Sequence, residues 1–184
     1  MRQGGRNAAL PHFGSQKGGN LMAENISGAT TTPGHLRLDD GSSIFRATQI
    51  PWTHLKVPGF EGIAYKILNY DRNRGYMVVL NTFAPGSRFA AHKHLGAVEI
   101  FMLSGSFFYE NGMVHEGDYM LEAGGITHAP ASDEGALMIT IFHGPLQITA
   151  EDGTIEAIVD IDAMYGLAKA NNAVAHLELL TPPE

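Results

Sequence analysis

Hydrophobic and polar positions divide the chain into two regimes. From Ile44 onward, short apolar runs alternate with turn signals. "IAYKILNY" (63–70) gives way to "DRNRG", and "YMVVLNTF" (76–83) gives way to the "PG" at 85–86. "RFAAHKH", "VEIFMLSG", "SFFYENG", "GDYMLEAGG" and "GALMITIFHG" then follow. Short strands repeating every ten or so residues predict an all-β sandwich or barrel. A helical period occurs only near the end, in "DIDAMYGLAKANNAVAHLELL" (160–180). There Asp160 or Asp162 can cap, and Met164, Leu167 and Ala168 repeat at i, i+3, i+4. No fixed-period repeat is present. Residues 1–40 have no apolar period and are rich in Gly, Ser, Thr and Asn. They read either as a flexible arm, in part a cloning remnant, or as a segment of which part packs as a strand in an oligomer. The expected organisation is an arm over 1–40, a barrel over 41–150 and a C-terminal strand and helix packing on it over 151–184.

Composition narrows this picture. The 184 residues suit one domain with one core. Charged residues are 17% of the chain, below the usual ~25%, and 22 glycines exceed the usual ~7% share. Few charges and many glycines favour a turn-rich β protein over a helical bundle. The net charge is −7, and the twelve Lys and Arg residues form no basic run, so nucleic acid is not an expected partner. No apolar run has membrane-spanning length, and no leader pattern opens the chain, so a cytoplasmic setting is expected. The absence of cysteine excludes disulfides, thiolate metal sites and a cysteine nucleophile.

Candidate chemistry sits in "PGSRFAAHKHLGAVEIFMLSG" (85–105). A strand turns alternate side chains to one face, so His92 and His94 project together, roughly 6.5–7 Å apart. Glu99 follows the short turn "LGA" and can open the next strand toward the same place, with Phe101 and Leu103 on its face. A third histidine, His128, starts a strand in "EGDYMLEAGGITHAP". Three imidazoles and a carboxylate suit a borderline divalent ion such as Fe(II), Zn, Mn, Ni or Cu. Open positions on such an ion would suit chemistry on a bound substrate.

These residues resemble the cupin superfamily. Its first motif, G-x5-H-x-H-x3-4-E-x6-G, is filled by Gly86, His92, His94, Glu99 and Gly105, with one residue fewer between Glu99 and Gly105. Its second, G-x5-P-x-G-x2-H-x3-N, falls on Gly117, Ala123, Gly125, His128 and Ser132, with Ala123 in place of proline and Ser132 in place of asparagine. The resemblance implies a cupin double-stranded β-helix, that is, a jelly-roll barrel with a short C-terminal helix. "IPWTHL" (50–55), "GIAYKIL" (62–68), "HKHLGAVE", "LSGSFFYENG", "YMLEAGGITHA" and "GPLQITAEDG" (144–153) look like the 2,4′-dihydroxyacetophenone dioxygenase and acetylacetone-cleaving dioxygenase group. That group has relatives in the cupin domains of zinc-dependent anti-sigma factors.

The narrower resemblance implies an enzyme with a mononuclear non-haem metal held by His92, His94 and His128. Fe(II) is the expected ion, with Zn, Ni or Mn as alternatives. The implied reaction is cleavage by O2 of a C–C bond next to a carbonyl, in a hydroxyacetophenone- or β-diketone-like substrate. Glu99 is a further metal-ligand candidate. Glu122, six residues before His128, matches a glutamate that acts in the group through hydrogen bonds to an iron-side water or a ligand. Read without the resemblance, it is equally a solvent-facing strand residue. The other expected reading is a non-catalytic zinc-binding sensor or regulatory module of the anti-sigma type. A homodimer or larger oligomer is also implied. His143 ends a strand and reads as a pocket rim; His115 sits in the turn "NGMVHEGD" and reads as exposed; His12, His35, His54 and His176 carry no motif. Trp52 reads as a mouth cover or as core. Phe101, Phe107, Tyr109 and Phe142 read as pocket lining or as barrel filling.

Overall fold

The computed structural model describes residues 29–150 and 152–180. Most of the expected arm, residues 1–28 with His12 among them, lies outside the described residues. The fold is a β jelly roll: mostly antiparallel β, in curled sheets, with one α-helix among the described residues, Ile161–Ala170. The large sheet runs in the order Thr53–His54, Ile63–Asp71, Tyr76–Phe83, Ala136–Phe142, Val98–Tyr109, Ala131–Ser132, Ser87–Arg88. Gly112–His115 and Tyr119–Glu122 also pair with the long Val98–Tyr109 strand. Facing it is a sheet ordered Thr127–His128, His92–His94, Leu146–Thr149, Ile155–Val159.

Strand alternation sorts side chains into inward rows. Ile67, Val79, Thr140, Ile100 and Met120 are cross-strand partners in one row. Tyr65, Asn81, Met138 and Met102 form the next. Met77, Phe142, Val98 and Glu122 form the row on the other side. The intervening positions on the long strand, Glu99 and Phe101, face outward. Phe101 is 46% exposed, against 1% for Val98 and 6% for Ile100.

The C-terminal helix is capped as its sequence predicts: Ala163 N–H donates to the Asp160 carboxylate. Its Met164 and Leu167 face apolar residues of the Ile63–Asp71 and Tyr76–Phe83 strands, closing one side of the core. The Tyr65 hydroxyl ties it down by donating to the Met164 carbonyl at 2.7 Å.

Residues 30–45 form a small antiparallel sheet of Thr30–Thr32, His35–Arg37 and Ser43–Phe45. It is joined to the C-terminal 3-10 turn Ala175–Leu180 by two buried histidines. His35 Nδ1 donates to the His176 carbonyl at 2.7 Å, and His176 Nε2 donates to the Ile67 carbonyl at 2.5 Å. His35 also stacks on Phe45 with ring centroids 4.3 Å apart. Burial holds the His176 imidazole below its ordinary value of 6.5, with His35 and Lys66 nearby adding to the effect against the Ile67 bond. Above that ordinary value neither folded nor unfolded His176 carries a proton. As pH falls below it, the unfolded chain takes up the proton first, and folding loses stability until the folded pKa is passed. Urea unfolding from pH 7.5 downward should therefore show a decline starting near 6.5. His176→Leu should flatten part of that decline and cost about 1–3 kcal/mol at neutral pH, because the Ile67 carbonyl is left buried and unpaired. An unchanged pH slope in the variant would remove His176 from this role.

Candidate metal centre

Three short segments build the site. His92 and His94 lie on a three-residue strand whose middle residue, Lys93, turns away. His128 is the direct cross-strand partner of His92. The segment carrying His128 is stitched to the same strand by its backbone: His94 N–H donates to the Ile126 carbonyl at 3.0 Å, and Gly125 N–H donates to the His94 carbonyl at 2.7 Å. Leu146–Thr149 pairs along the other side of His92–His94. Both flanks of the strand are thus hydrogen-bonded, and its two imidazoles are aimed inward.

The imidazoles converge. His94 Nε2 and His128 Nε2 are 2.9 Å apart, and His128 Nε2 and His92 Nε2 are 3.1 Å apart. One nitrogen from each of the three residues lies within 4.8 Å of the others, and all three residues are buried. Metal–imidazole bonds of ~2.0–2.1 Å put two nitrogens on one ion roughly 2.9–3.4 Å apart, so both close separations suit a shared cation. His92 Nδ1 donates to the Ala90 carbonyl at 3.0 Å, which leaves its Nε2 lone pair free. Burial pushes the His94 imidazole down to about 4 against the pull of the Glu122 carboxylate, and it lowers His92 in the same way. Neutral imidazoles with inward lone pairs are metal ligands in waiting. Aromatic rings hold each one: Phe60 lies 6.0 Å from His92, Phe142 stacks at 6.2 Å from His94, and Tyr109 meets His128 edge-on at 5.6 Å.

Glu122 is the carboxylate brought to this cluster. It takes the inward position of its row and is 2% exposed. Its Oε1 lies 2.9 Å from His128 Nδ1 and its Oε2 lies 3.4 Å from His94 Nε2. Neither contact is aligned as a hydrogen bond, so both carboxylate oxygens and the His128 Nδ1 remain without a hydrogen-bond partner. A buried carboxylate in that state is costly unless a cation stands nearby. The orphaned carboxylate, the close Nε2 atoms and the all-imidazole donor set together fit a borderline divalent ion.

Glu99 does not join them, which corrects the expectation that it is a ligand. It sits on the outer face, where its carboxylate accepts from the Tyr119 hydroxyl at 2.7 Å and from His143 Nε2 at 2.7 Å. These two partners, Tyr119 first, hold its carboxyl below the ordinary range. The reason is a phase shift of one residue. The inward position on this strand is Val98, and moving by one residue turns a side chain to the opposite face. The short spacing from Glu99 to Gly105 carried that signal: six residues back from Gly105 falls one position short of the motif glutamate, which would stand at 98. Phe101 shares the outward face, so it is not pocket lining, whereas Phe107 and Phe142 are. Glu99→Gln should leave metal stoichiometry unchanged by elemental analysis. Loss of the ion in that variant would return Glu99 to the ligand set.

The triad opens on a cavity of about 340 Å³. Its walls are mostly apolar, with Phe60, Ile100 and Met138 from the barrel and Met164 and Leu167 from the C-terminal helix. Sequence reasoning missed the helix as cavity wall, although its i, i+3 pair was the visible sign. Trp52 is half-buried and does not line the cavity; the Lys66 ammonium stands 4.4 Å over its ring. His143 sits 43% exposed beside Glu99, and His35 and His176 are structural.

Comparisons with known proteins bear on this geometry. The crystal structure of an acetylacetone dioxygenase from Acinetobacter johnsonii superposes with a TM-score of 0.61 at 20% identity, covering 65% of this chain and 85% of that one. A candidate acetylacetone dioxygenase from Methylibium petroleiphilum gives 0.63 at 23%, covering 68% and 92%. A protein of unknown function with a cupin-like fold from Ralstonia eutropha gives 0.60 at 24%, covering 72% and 84%. At these identities the likeness establishes the fold alone. No curated protein matches the chain. No helix among the described residues is long and apolar enough to cross a membrane. Residues 41–147, which hold both histidine segments, match the family described as ChrR Cupin-like domain, and to that family of the cupin superfamily the chain belongs.

Proposed function

We propose that the chain is a mononuclear non-haem metal dioxygenase, loaded with Fe(II), that cleaves a C–C bond next to a carbonyl. The observation that carries this reading is the convergence of three buried imidazoles beside one buried carboxylate at the wall of an apolar cavity. His92, His94 and His128 would hold the ion. When bound, the ion would supply Lewis acidity toward the oxygens of a β-diketone or hydroxyketone and a path for electrons to O2. The chain's own residues do the rest. Glu122, next to the triad and without a hydrogen bond, can take a proton at Oε2 from an acidic substrate C–H or O–H. The apolar walls exclude water, which strengthens each electrostatic contact inside. Phe60, Tyr109 and Phe142 keep the imidazoles in register.

The test is oxygen uptake by anaerobically iron-loaded protein given acetylacetone and hydroxyacetophenones. Uptake with one class and its loss in Glu122→Gln are the expected results. Absence of uptake with both classes, while iron is bound, overturns the reading. The family match over 41–147 favours a second reading, a non-catalytic zinc-binding module. Stoichiometric zinc that iron cannot displace, together with no turnover, would select it.

A further inference from the structure

Of the described residues that line the cavity, only Val57 and Ala163 are exposed, so they mark its mouth. Ala163 stands on the C-terminal helix. Val57 stands on the connection between the paired strands Thr53–His54 and Ile63–Asp71, which spans residues 55–62. That is longer than the ~2–5 residues usual for a hairpin. The base of the connection is pinned: Leu55 N–H donates to the Ile63 carbonyl at 2.9 Å, and Ala84 N–H donates to the Gly62 carbonyl at 2.8 Å. The tip, residues 56–61, is tied to the barrel by one backbone hydrogen bond among the described residues, from Ala90 N–H to the Gly59 carbonyl at 2.6 Å. Val57 is left 44% exposed, whereas Phe60 is buried against Phe89 and His92, with ring centroids 6.1 and 6.0 Å away. Ala90 is thus bonded twice. Its N–H holds the tip, and its carbonyl accepts from His92 Nδ1 at 3.0 Å. Gly59 permits the close approach: its φ is +81°, and a Cβ on it would lie 2.8 Å from the Ala90 Cβ.

We propose that residues 56–61 are a lid over the cavity mouth, and that the closed lid holds His92 in its ligating orientation. This rests on metal binding at the triad and not on the reaction performed there. Swinging the tip away from Ala90 breaks one hydrogen bond and withdraws the Phe60 ring from His92, while the base stays pinned. His92 then loses its ring contact, and the residue that accepts its Nδ1 proton loses its own tie to the tip. An open mouth and a loosened His92 therefore go together, and closure over a ligand restores the third imidazole. Loss of a group that supports a metal ligand typically costs ~10–100-fold in affinity. By thermodynamic reciprocity, the factor that lid closure adds to metal affinity is the factor that a bound metal adds to lid closure.

The probe is cobalt(II) alone, whose visible absorption reports its ligands, added to the full chain without O2. Affinity and spectrum are compared for the wild-type protein, Gly59→Ala and Gly75→Ala. Gly59→Ala forces the tip off Ala90. Gly75 has φ +71° with nothing within 4 Å of an added Cβ, so its variant supplies the backbone strain on a turn away from the mouth. Gly59→Ala should bind cobalt at least ~10-fold more weakly, with an altered visible band. Gly75→Ala should match the wild type in both. Amide hydrogen exchange of the wild-type chain is then measured with and without cobalt. The Phe60 amide, which donates to the Val57 carbonyl within the tip, and the Ala90 amide should slow ~10-fold or more on loading. The Ala84 amide, at the pinned base, should slow less. Exchange decides the matter alone if Gly59→Ala does not fold. Wild-type affinity and spectrum in Gly59→Ala overturn the lid and leave the metal centre standing. So does exchange at Phe60 and Ala90 that cobalt slows no more than at Ala84. Absence of cobalt binding by the wild-type chain overturns both.

Discussion

Replacing His128 by alanine is expected to abolish stoichiometric metal binding while leaving the barrel folded. His128 is the hub of the triad, because its Nε2 is within 3.1 Å of both other Nε2 atoms. It is also the residue nearest the buried carboxylate, through Nδ1 at 2.9 Å from Glu122 Oε1. Loss of a residue that merely supports a ligand typically costs 10–100-fold in metal affinity. Removal of the central ligand should therefore cost more than about 100-fold. The inward rows of the large sheet do not include His128, so the far-UV spectrum should persist. Elemental analysis after dialysis against a weak chelator is the readout. Retention of one ion per chain at wild-type affinity would show that the three nitrogens do not share it.

The second large effect is expected from Gly105→Ala. Gly105 has φ +74°, and a Cβ placed on it would lie 2.1 Å from the Gly135 carbonyl oxygen and 3.0 Å from the Gly135 carbonyl carbon. Both strands are pinned there. Gly105 is the cross-strand partner of Ala136, and its carbonyl accepts from Glu116 N–H. The Gly135 carbonyl in turn accepts from Ser106 N–H. The left-handed backbone alone costs a non-glycine residue ~1–2 kcal/mol, and overpacking against a backbone that cannot move adds ~1–3 kcal/mol. A total of about 3 kcal/mol or more is expected, which is a large share of the stability of an ordinary domain. Gly117→Ala is the control. Its φ is +86°, but nothing lies within 4 Å of the added Cβ, so it should lose only the backbone term. Similar urea midpoints for the two variants would show that the Gly135 contact carries no weight.

These two glycines also show what a motif conveys. Both fill positions of the cupin pattern, and from the letters they look equivalent. One is required by a close approach of two strands and a left-handed backbone within a strand, the other by the left-handed backbone of its turn alone. Only the path of Gly135 past Gly105 separates them.

Local chemistry in the chain was enough for the β class, the terminal helix and the shared face of His92 and His94, because alternation, turn residues and an i, i+2 pair are short-range patterns; the jelly-roll barrel and the ligand role of His128 were what the cupin resemblance implied. A helix cap at Asp160 or Asp162 was legible for the same reason, and the structure places it at Asp160. The choice between the two glutamates was not. Glu99 and Glu122 are both strand residues near a histidine, and which one enters the core depends on strand phase. That phase is set by pairing between segments distant in the chain: Glu122 against Val98, and Val98 against Phe142. Asn81 and Thr140, 59 positions apart, likewise meet only through the register of two strands. Spacing along the backbone can name the side chains available for a site, but long-range hydrogen-bond register decides which of them face one another.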